Sequence, residues 1–208
     1  MPFVSFEGVD GAGKTTQLTA LGTWLESEGH TVLRTKEPGG GHLGQPVRDI
    51  FTATRAAPLW PIEELLLVNA ARYDHVVTVI RPALARGEWV LTDRFFDSTY
   101  AIQVFETDVP IEVFNAVVAT VVGDTIPDIT FVLNLTPNAA EARRDRRGRD
   151  DDPSEQTRNF DRICRGFLQV AASCPERCKL IDADAPASDV ELTIRGHIQP
   201  LRRRTAWH

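Results

Sequence analysis

The sequence predicts an α/β fold: a doubly wound parallel sheet of five strands with helices on both faces. Two observations carry that prediction. Short apolar runs alternate with helical patterns along the 208 residues, and residues 8–15 read G-V-D-G-A-G-K-T just after the first run. A glycine-rich loop of this form turns tightly, so that successive backbone N–H groups point into one anion-sized hollow. Its lysine reaches outer phosphates and its threonine hydroxyl suits a magnesium ion.

Each element follows in order. Pro2-Phe3-Val4-Ser5-Phe6 is an apolar run suited to a buried parallel strand. Behind the loop, Leu18, Leu21 and Leu25 recur at helical spacing, and the amides at that helix start favour the same anion. Gly8, Gly11, Ala12, Gly13, Lys14, Thr15 and Thr16 are therefore the expected triphosphate contacts. Residues 31–35 read as the second strand and stop at the loop Lys36-Glu37-Pro38-Gly39-Gly40-Gly41. Helical patterns cover residues 43–53 and 61–86. Trp89-Val90-Leu91-Thr92 is the third strand, ending in Asp93-Arg94, and helices follow over 98–107 and 111–122. Residues 129–135 form the fourth strand, between Pro127 and Pro137. A charged helical stretch at 138–147 and an aspartate-rich break at 150–154 lead to a helix over 160–172. Lys179-Leu180-Ile181-Asp182 is the last strand, Val190 to Ile198 a closing helix, and Arg202-Arg203-Arg204 a solvated end. Neither a repeat nor a linker interrupts the pattern, so residues 1–208 read as one domain with a cover at about 143–154.

In such sheets ligands sit beyond the carboxyl ends of the strands. Residues 8–16, 36–41, 93–103 and 143–150 are therefore expected around one cleft. Hydrophobic residues are 42 % and charged residues 25 %, ordinary for a soluble domain. A net charge of −6 argues against a long nucleic-acid footprint and for a small phosphorylated substrate. No apolar stretch approaches the roughly 20 residues that cross a bilayer, and the N-terminus lacks a basic segment followed by an apolar one. A cytoplasmic location is expected. Cys164, Cys174 and Cys178 lack partners for a zinc site and read as incidental thiols of a reducing compartment.

Phosphoryl transfer needs two anionic substrates in line, positive charge over the moving group, and exclusion of water. Lys14, Arg94 and the run Arg143, Arg144, Arg146, Arg147, Arg149 supply that charge. An arginine of the cover would lie over the phosphoryl group only on closure. The interleaved Glu141, Asp145 and Asp150 leave a solvated helical face as the other reading. Asp93-Arg94 reads either as an ion pair at a strand end, or as Asp93 holding magnesium while Arg94 meets a second phosphate. Asp10 is either a turn former or an acceptor for a sugar hydroxyl. Arg72 is a helix-surface charge or a contact to the second nucleotide.

Together the segments resemble the thymidylate kinase family over nearly the whole chain. The motifs are F-E-G-V-D-G-A-G-K-T-T at 6–16, T-K-E-P-G-G at 35–40, L-L-L-V-N-A-A-R at 65–72 and R-P-A-L-A-R-G-E-W-V-L-T-D-R-F at 81–95. D-S-T at 97–99, T-P-N-A-A-E-A-R at 136–143 and I-D-A-D at 181–184 continue the set. The resemblance implies a P-loop NTPase fold, ATP with Mg2+ as donor, and dTMP as acceptor. It assigns Asp10 to the 3′-hydroxyl, Arg94 to the 5′-phosphate and Arg72 to a pyrimidine carbonyl. Glu37, Pro38, Arg48, Thr99 and Gln103 fall in the acceptor site, and Thr15 with Asp93 at the metal. Gly11 stands where one subgroup carries arginine, so the catalytic arginine is expected among Arg143, Arg147 and Arg149. The family's homodimer would pack through residues 65–71 with Val117, Val118 and Val121.

Three positions depart from the family. Val68 replaces a phenylalanine stacked on thymine, Ile102 a tyrosine near the sugar, and Asp150-Asp151-Asp152-Pro153 the usual D-R-F-E. A lost stack is worth roughly 0.5–1.5 kcal/mol beyond area burial. Phe95, Phe96 and Tyr100 are the candidates to compensate. A modified acceptor such as 5-hydroxymethyl-dUMP is the alternative substrate, and a non-catalytic nucleotide binder the alternative class.

Overall fold

The structure is a computed structural model. It describes residues 1–54, 57–136, 139, 140, 143 and 158–205, with side chains through Leu201 at its carboxyl end. Among the described residues the strands are β1 (Phe3–Glu7), β2 (Val32–Lys36), β3 (Trp89–Asp93), β4 (Ile129–Asn134) and β5 (Cys178–Asp182). They form one parallel sheet in the order β2-β3-β1-β4-β5. The central β1 is buried throughout, as a strand covered by helices on both faces must be. The fold class expected from the alternating pattern is the one observed.

Helices α1 (Lys14–Ser27), α7 (Phe160–Ser173) and α8 (Ala187–Thr205) pack with the sheet around Phe6, Leu21, Leu25, Phe131, Phe167 and Ile194. A second core, built on Phe3, Ile80, Val90 and Phe95, lies between the sheet and the helical run from residue 61 to 85. That run is α3 (Pro61–His75), a π-helical turn at Val76–Ile80, and α4 (Arg81–Ala85). Pro61 suits its first position, and the Glu63 carboxylate accepts the Trp60 N–H at 2.8 Å to cap it.

Three expectations shift. The helix over 98–107 begins earlier, as α5 (Phe96–Thr99), and continues as a π-helical segment, Tyr100–Glu106. Such widened turns need hydrogen-bond rearrangement that side-chain spacing does not encode. The closing helix runs from Ala187 to Thr205, longer at both ends than Val190 to Ile198, and takes in the backbone of Arg202-Arg203-Arg204. Helices α2 (Gly44–Thr52) and α6 (Ile111–Val121) lie where the pattern placed them. The charged stretch at 138–147 and the break at 150–154 lie mostly outside the described residues, of which 139, 140 and 143 are helical.

Candidate active site

Parallel register brings the carboxyl ends of β1, β2 and β3 together: Phe6 and Lys36 both stand opposite Asp93. The loop after β1 must begin with glycine. Gly8 has φ +135°, and a Cβ there would stand 2.6 Å from the Leu133 carbonyl oxygen of β4. The loop then turns back, the Ala12 N–H donating to Val9 at 3.2 Å, and Gly13 opens α1. Lys14 is buried. Its ammonium donates to the Gly8 and Val9 carbonyls at 3.1 and 3.0 Å and to the Asp10 carboxylate at 3.2 Å. Burial first, then the charge of Arg94, hold its pKa below the usual lysine range.

Thr15 and Asp93 meet directly, the threonine hydroxyl donating to Asp93 Oδ2 at 2.6 Å. Both offer hard oxygen donors, and Mg2+ needs only one or two such protein ligands when phosphates and waters supply the rest. The donor set fits that ion. Arg94 turns the other way, with φ +71°, and pairs with Asp10 at 2.6 Å. The ion pair at this strand end is therefore with Asp10 rather than within the Asp93-Arg94 dipeptide. Burial would raise the Asp10 pKa, but Arg94 and Lys14 outweigh it and hold the carboxylate low. Burial likewise opposes the charge on Arg94, and Asp10 with Asp93 restores it.

A cavity of about 240 Å³ opens beside this pair. Asp10, Glu37, Pro38, Arg48 and Arg94 line its end near the loop. Val68, Arg72, Thr99, Ile102 and Gln103 line the remainder, so every residue assigned to an acceptor faces one space. Arg72 is not a surface charge: it is 1 % exposed. It donates to Glu37 at 2.7 Å, Asn69 at 2.8 Å and Thr99 at 2.9 Å. A second cavity of about 780 Å³ carries Gly11, Gly13, Lys14, Thr15, Thr16 and Asp93. Asp10, Glu37, Arg48 and Arg94 line both cavities, so the two meet at those side chains.

Arg143 reaches over the loop, donating to the Gly11 carbonyl at 3.3 Å and the Ala183 carbonyl at 2.8 Å. Arg147 and Arg149 lie outside the described residues, as does the cover from 144 to 154. The aromatic lining departs from expectation. Phe95 faces the acceptor cavity, joined by Phe51, Phe160 and Phe167. Phe96 instead lies under the Arg177 guanidinium, and Tyr100 packs edge-on against Phe114. Phe160, Ile163 and Phe167 recur at helical spacing, and such a stripe reads as core in a sequence whether it meets a core or a cavity.

Two polar residues carried no sequence signal. Arg158 lines the same cavity, between Glu64 at 2.8 Å and Glu106 at 3.6 Å. His75 donates or accepts through Nδ1 with Glu37 at 2.9 Å and through Nε2 with Thr35 at 2.8 Å. A relay thus runs from β2 through His75 and Glu37 to Arg72. Gly40 completes it, since a Cβ there would fall 2.1 Å from the His75 ring.

A parallel sheet with a glycine–lysine loop on its central strand, and a second cavity opening onto that loop, defines a phosphotransferase of the P-loop NTPase fold. Comparison narrows the class. The family profile described as thymidylate kinase matches residues 6–194. A thymidylate kinase of Caulobacter vibrioides is 41 % identical over 194 residues, covering 92 % of this chain and 93 % of that one. Another, of Alcanivorax borkumensis, is 37 % identical over 206 residues, covering 99 % and 98 %. A crystal structure of thymidylate kinase from Ehrlichia chaffeensis superposes with a TM-score of 0.76 at 31 % identity, covering 95 % of this chain and 98 % of that one. The chain belongs to the thymidylate kinase family.

Proposed function

We propose that the chain transfers the terminal phosphoryl group of ATP to the 5′-phosphate of dTMP, giving dTDP and ADP. The observation that carries this reading is the shared wall of the two cavities, where Asp10 and Arg94 stand between loop and acceptor space. Donor phosphates on the Gly11–Thr16 side and an acceptor phosphate at Arg94 would then face one another across a few ångströms, as in-line transfer requires. Lys14 and Arg143 bring positive charge to the loop, Asp10 accepts from the sugar hydroxyl, and Arg72 donates to a pyrimidine carbonyl. Thr15 and Asp93 would hold Mg2+, which when bound would supply positive charge at the transferring phosphates.

The whole chain acts as one kinase unit in the cytoplasm, with residues 143–154 as its cover. No helix among the described residues is long and apolar enough to cross a membrane. A homodimer is proposed, its face drawn from the 65–71 run and from Val117, Val118 and Val121, which are only partly buried. Val117, Val118 and Val121 pack against the chain's own cores, and Leu65 is fully buried. Ile62, Leu66, Tyr73 and Val77 are the exposed apolar residues, at helical spacing on the run from α3 onward.

Purified protein with ATP and Mg2+ should release ADP with dTMP faster than with dUMP, 5-hydroxymethyl-dUMP or dCMP. Lys14→Ala should lower kcat by about 100-fold or more, as loss of one preorganised charge at a reacting centre does. ADP release no greater with dTMP than without an acceptor would refute the assignment.

A further inference from the structure

Glu7 ends β1 immediately before the phosphate loop and is 0 % exposed. Among the described residues it forms no ion pair. Its Oε1 accepts the Phe95 N–H at 2.8 Å, and its Oε2 accepts the Ser98 hydroxyl. The same hydroxyl accepts from the Arg94 guanidinium at 3.0 Å. Arg94 sits in the left-handed region, a conformation that survives in a non-glycine residue only when its surroundings over-determine it. Those surroundings are visible. The Arg94 N–H donates to Phe6 at 2.9 Å, its carbonyl accepts from Thr92 at 2.9 Å, and the next N–H is the one held by Glu7.

We propose that Glu7 is a positioning residue for the acceptor phosphate, holding Arg94 through the Phe95 amide and the Ser98 hydroxyl. The inference rests on Arg94 being the acceptor-phosphate ligand. One carboxylate oxygen fixes the backbone just after Arg94, and the other fixes the hydroxyl on which its guanidinium rests. The remaining arm of that guanidinium, on Asp10, points along the wall shared by the two cavities. Two small contacts thereby set both the backbone and the side chain of one arginine.

The charged groups around Glu7 set the pH at which both of its oxygens become acceptors. Asp97 faces it from α5, Arg94 from the end of β3, and Asp10 with Lys14 lie beyond Arg94. Arg177 is spent on Asp97, at 2.6 and 2.8 Å. Burial and then Asp97 push the Glu7 pKa up to about 8.

The test compares dTMP with thymidine, which lacks the phosphate, by calorimetric titration of wild type, Glu7→Gln, Ser98→Ala and Arg94→Ala. The titrations are run at pH 9, above the raised Glu7 pKa, so that both carboxylate oxygens accept; Gln then keeps an acceptor for Phe95 but presents an N–H where Ser98 donated, and Ser98→Ala removes the relay with one oxygen. Both should lower the ratio of dTMP to thymidine affinity about tenfold, with thymidine binding unchanged and KM for dTMP raised more than kcat falls. If Arg94→Ala lowers the ratio and the other two leave it unchanged, Glu7 is not a positioning residue. Equal loss of dTMP and thymidine affinity in Glu7→Gln and Ser98→Ala also overturns the proposal. An unchanged ratio in Arg94→Ala refutes the reading of Arg94 itself. Should Glu7→Gln fail to fold, Glu7→Asp, which keeps the carboxylate but draws it back from Phe95 and Ser98, takes its place with the same expected and overturning outcomes.

Discussion

At the scale of single residues, the site holds two carboxylates whose protons respond to folding in opposite directions. Burial, reinforced by Asp97, raises Glu7 from 4.5 to about 8. The folded chain then keeps a proton that the unfolded chain releases, so stability falls as pH rises from about 4.5 to about 8 and levels off beyond. Asp10 is held low, its stabilising charge present above the ordinary aspartate range and lost as pH falls through it. Between pH 5 and 8 only the Glu7 slope should remain of the two. Urea melts across that window should show wild-type stability declining, and Glu7→Gln should flatten the decline; parallel slopes would contradict the buried-acid account. Legibility differs just as sharply between neighbours. Asp10, Lys14 and Arg94 announce themselves by position in a motif. His75 does not, because a histidine on a helix has the same letters whether it faces solvent or orients a buried glutamate.

At the scale of elements, the loop after β1 is held by its neighbours as much as by its own glycines. Gly8 approaches the Leu133 carbonyl so closely that strand β4 fixes where the loop begins. Gly8→Ala should therefore destabilise the fold by about 2 kcal/mol or more, from contact and from a φ that L-residues rarely adopt. Its thermal midpoint should drop by several degrees, and a midpoint equal to wild type would show that β4 yields instead. The strands, the first helix and α6 were readable from apolar spacing. The π-helical segments were not. Tyr100–Glu106 carries Ile102 and Gln103 to the cavity wall, yet its apolar residues repeat much as in an α-helix. Helix α7 packs against this segment, a long-range contact that its apolar spacing does not record.

At the scale of the molecule, the exposed stripe from Ile62 to Val77 remains the surface least explained by one copy. Leu66 is 53 % exposed, and replacing it should cost the isolated fold little. Light scattering should give twice 23.1 kDa for the native chain and a single 23.1 kDa for Leu66→Arg, with an unchanged far-UV spectrum. A native chain that scatters as a monomer would remove the homodimer proposal. Val117, Val118 and Val121, nominated with the 65–71 run for such a face, are partly buried against the chain's own cores, and an apolar stripe marks burial rather than the partner that completes it.

The sequence by itself determined the alternating α/β architecture, the phosphate loop and the side chains that carry charge to it. Strand period, helix period and glycine turns are local properties, written within a few residues of where they act. Tertiary structure alone decided that Val68 and Ile102 face a cavity lined by Phe51, Phe95, Phe160 and Phe167, that Arg94 pairs with Asp10, and that Glu7 accepts the Phe95 N–H. Those contacts join segments tens of residues apart. Whether a buried group meets a partner or a void depends on where the sheet carries the other strand, and no local pattern records that.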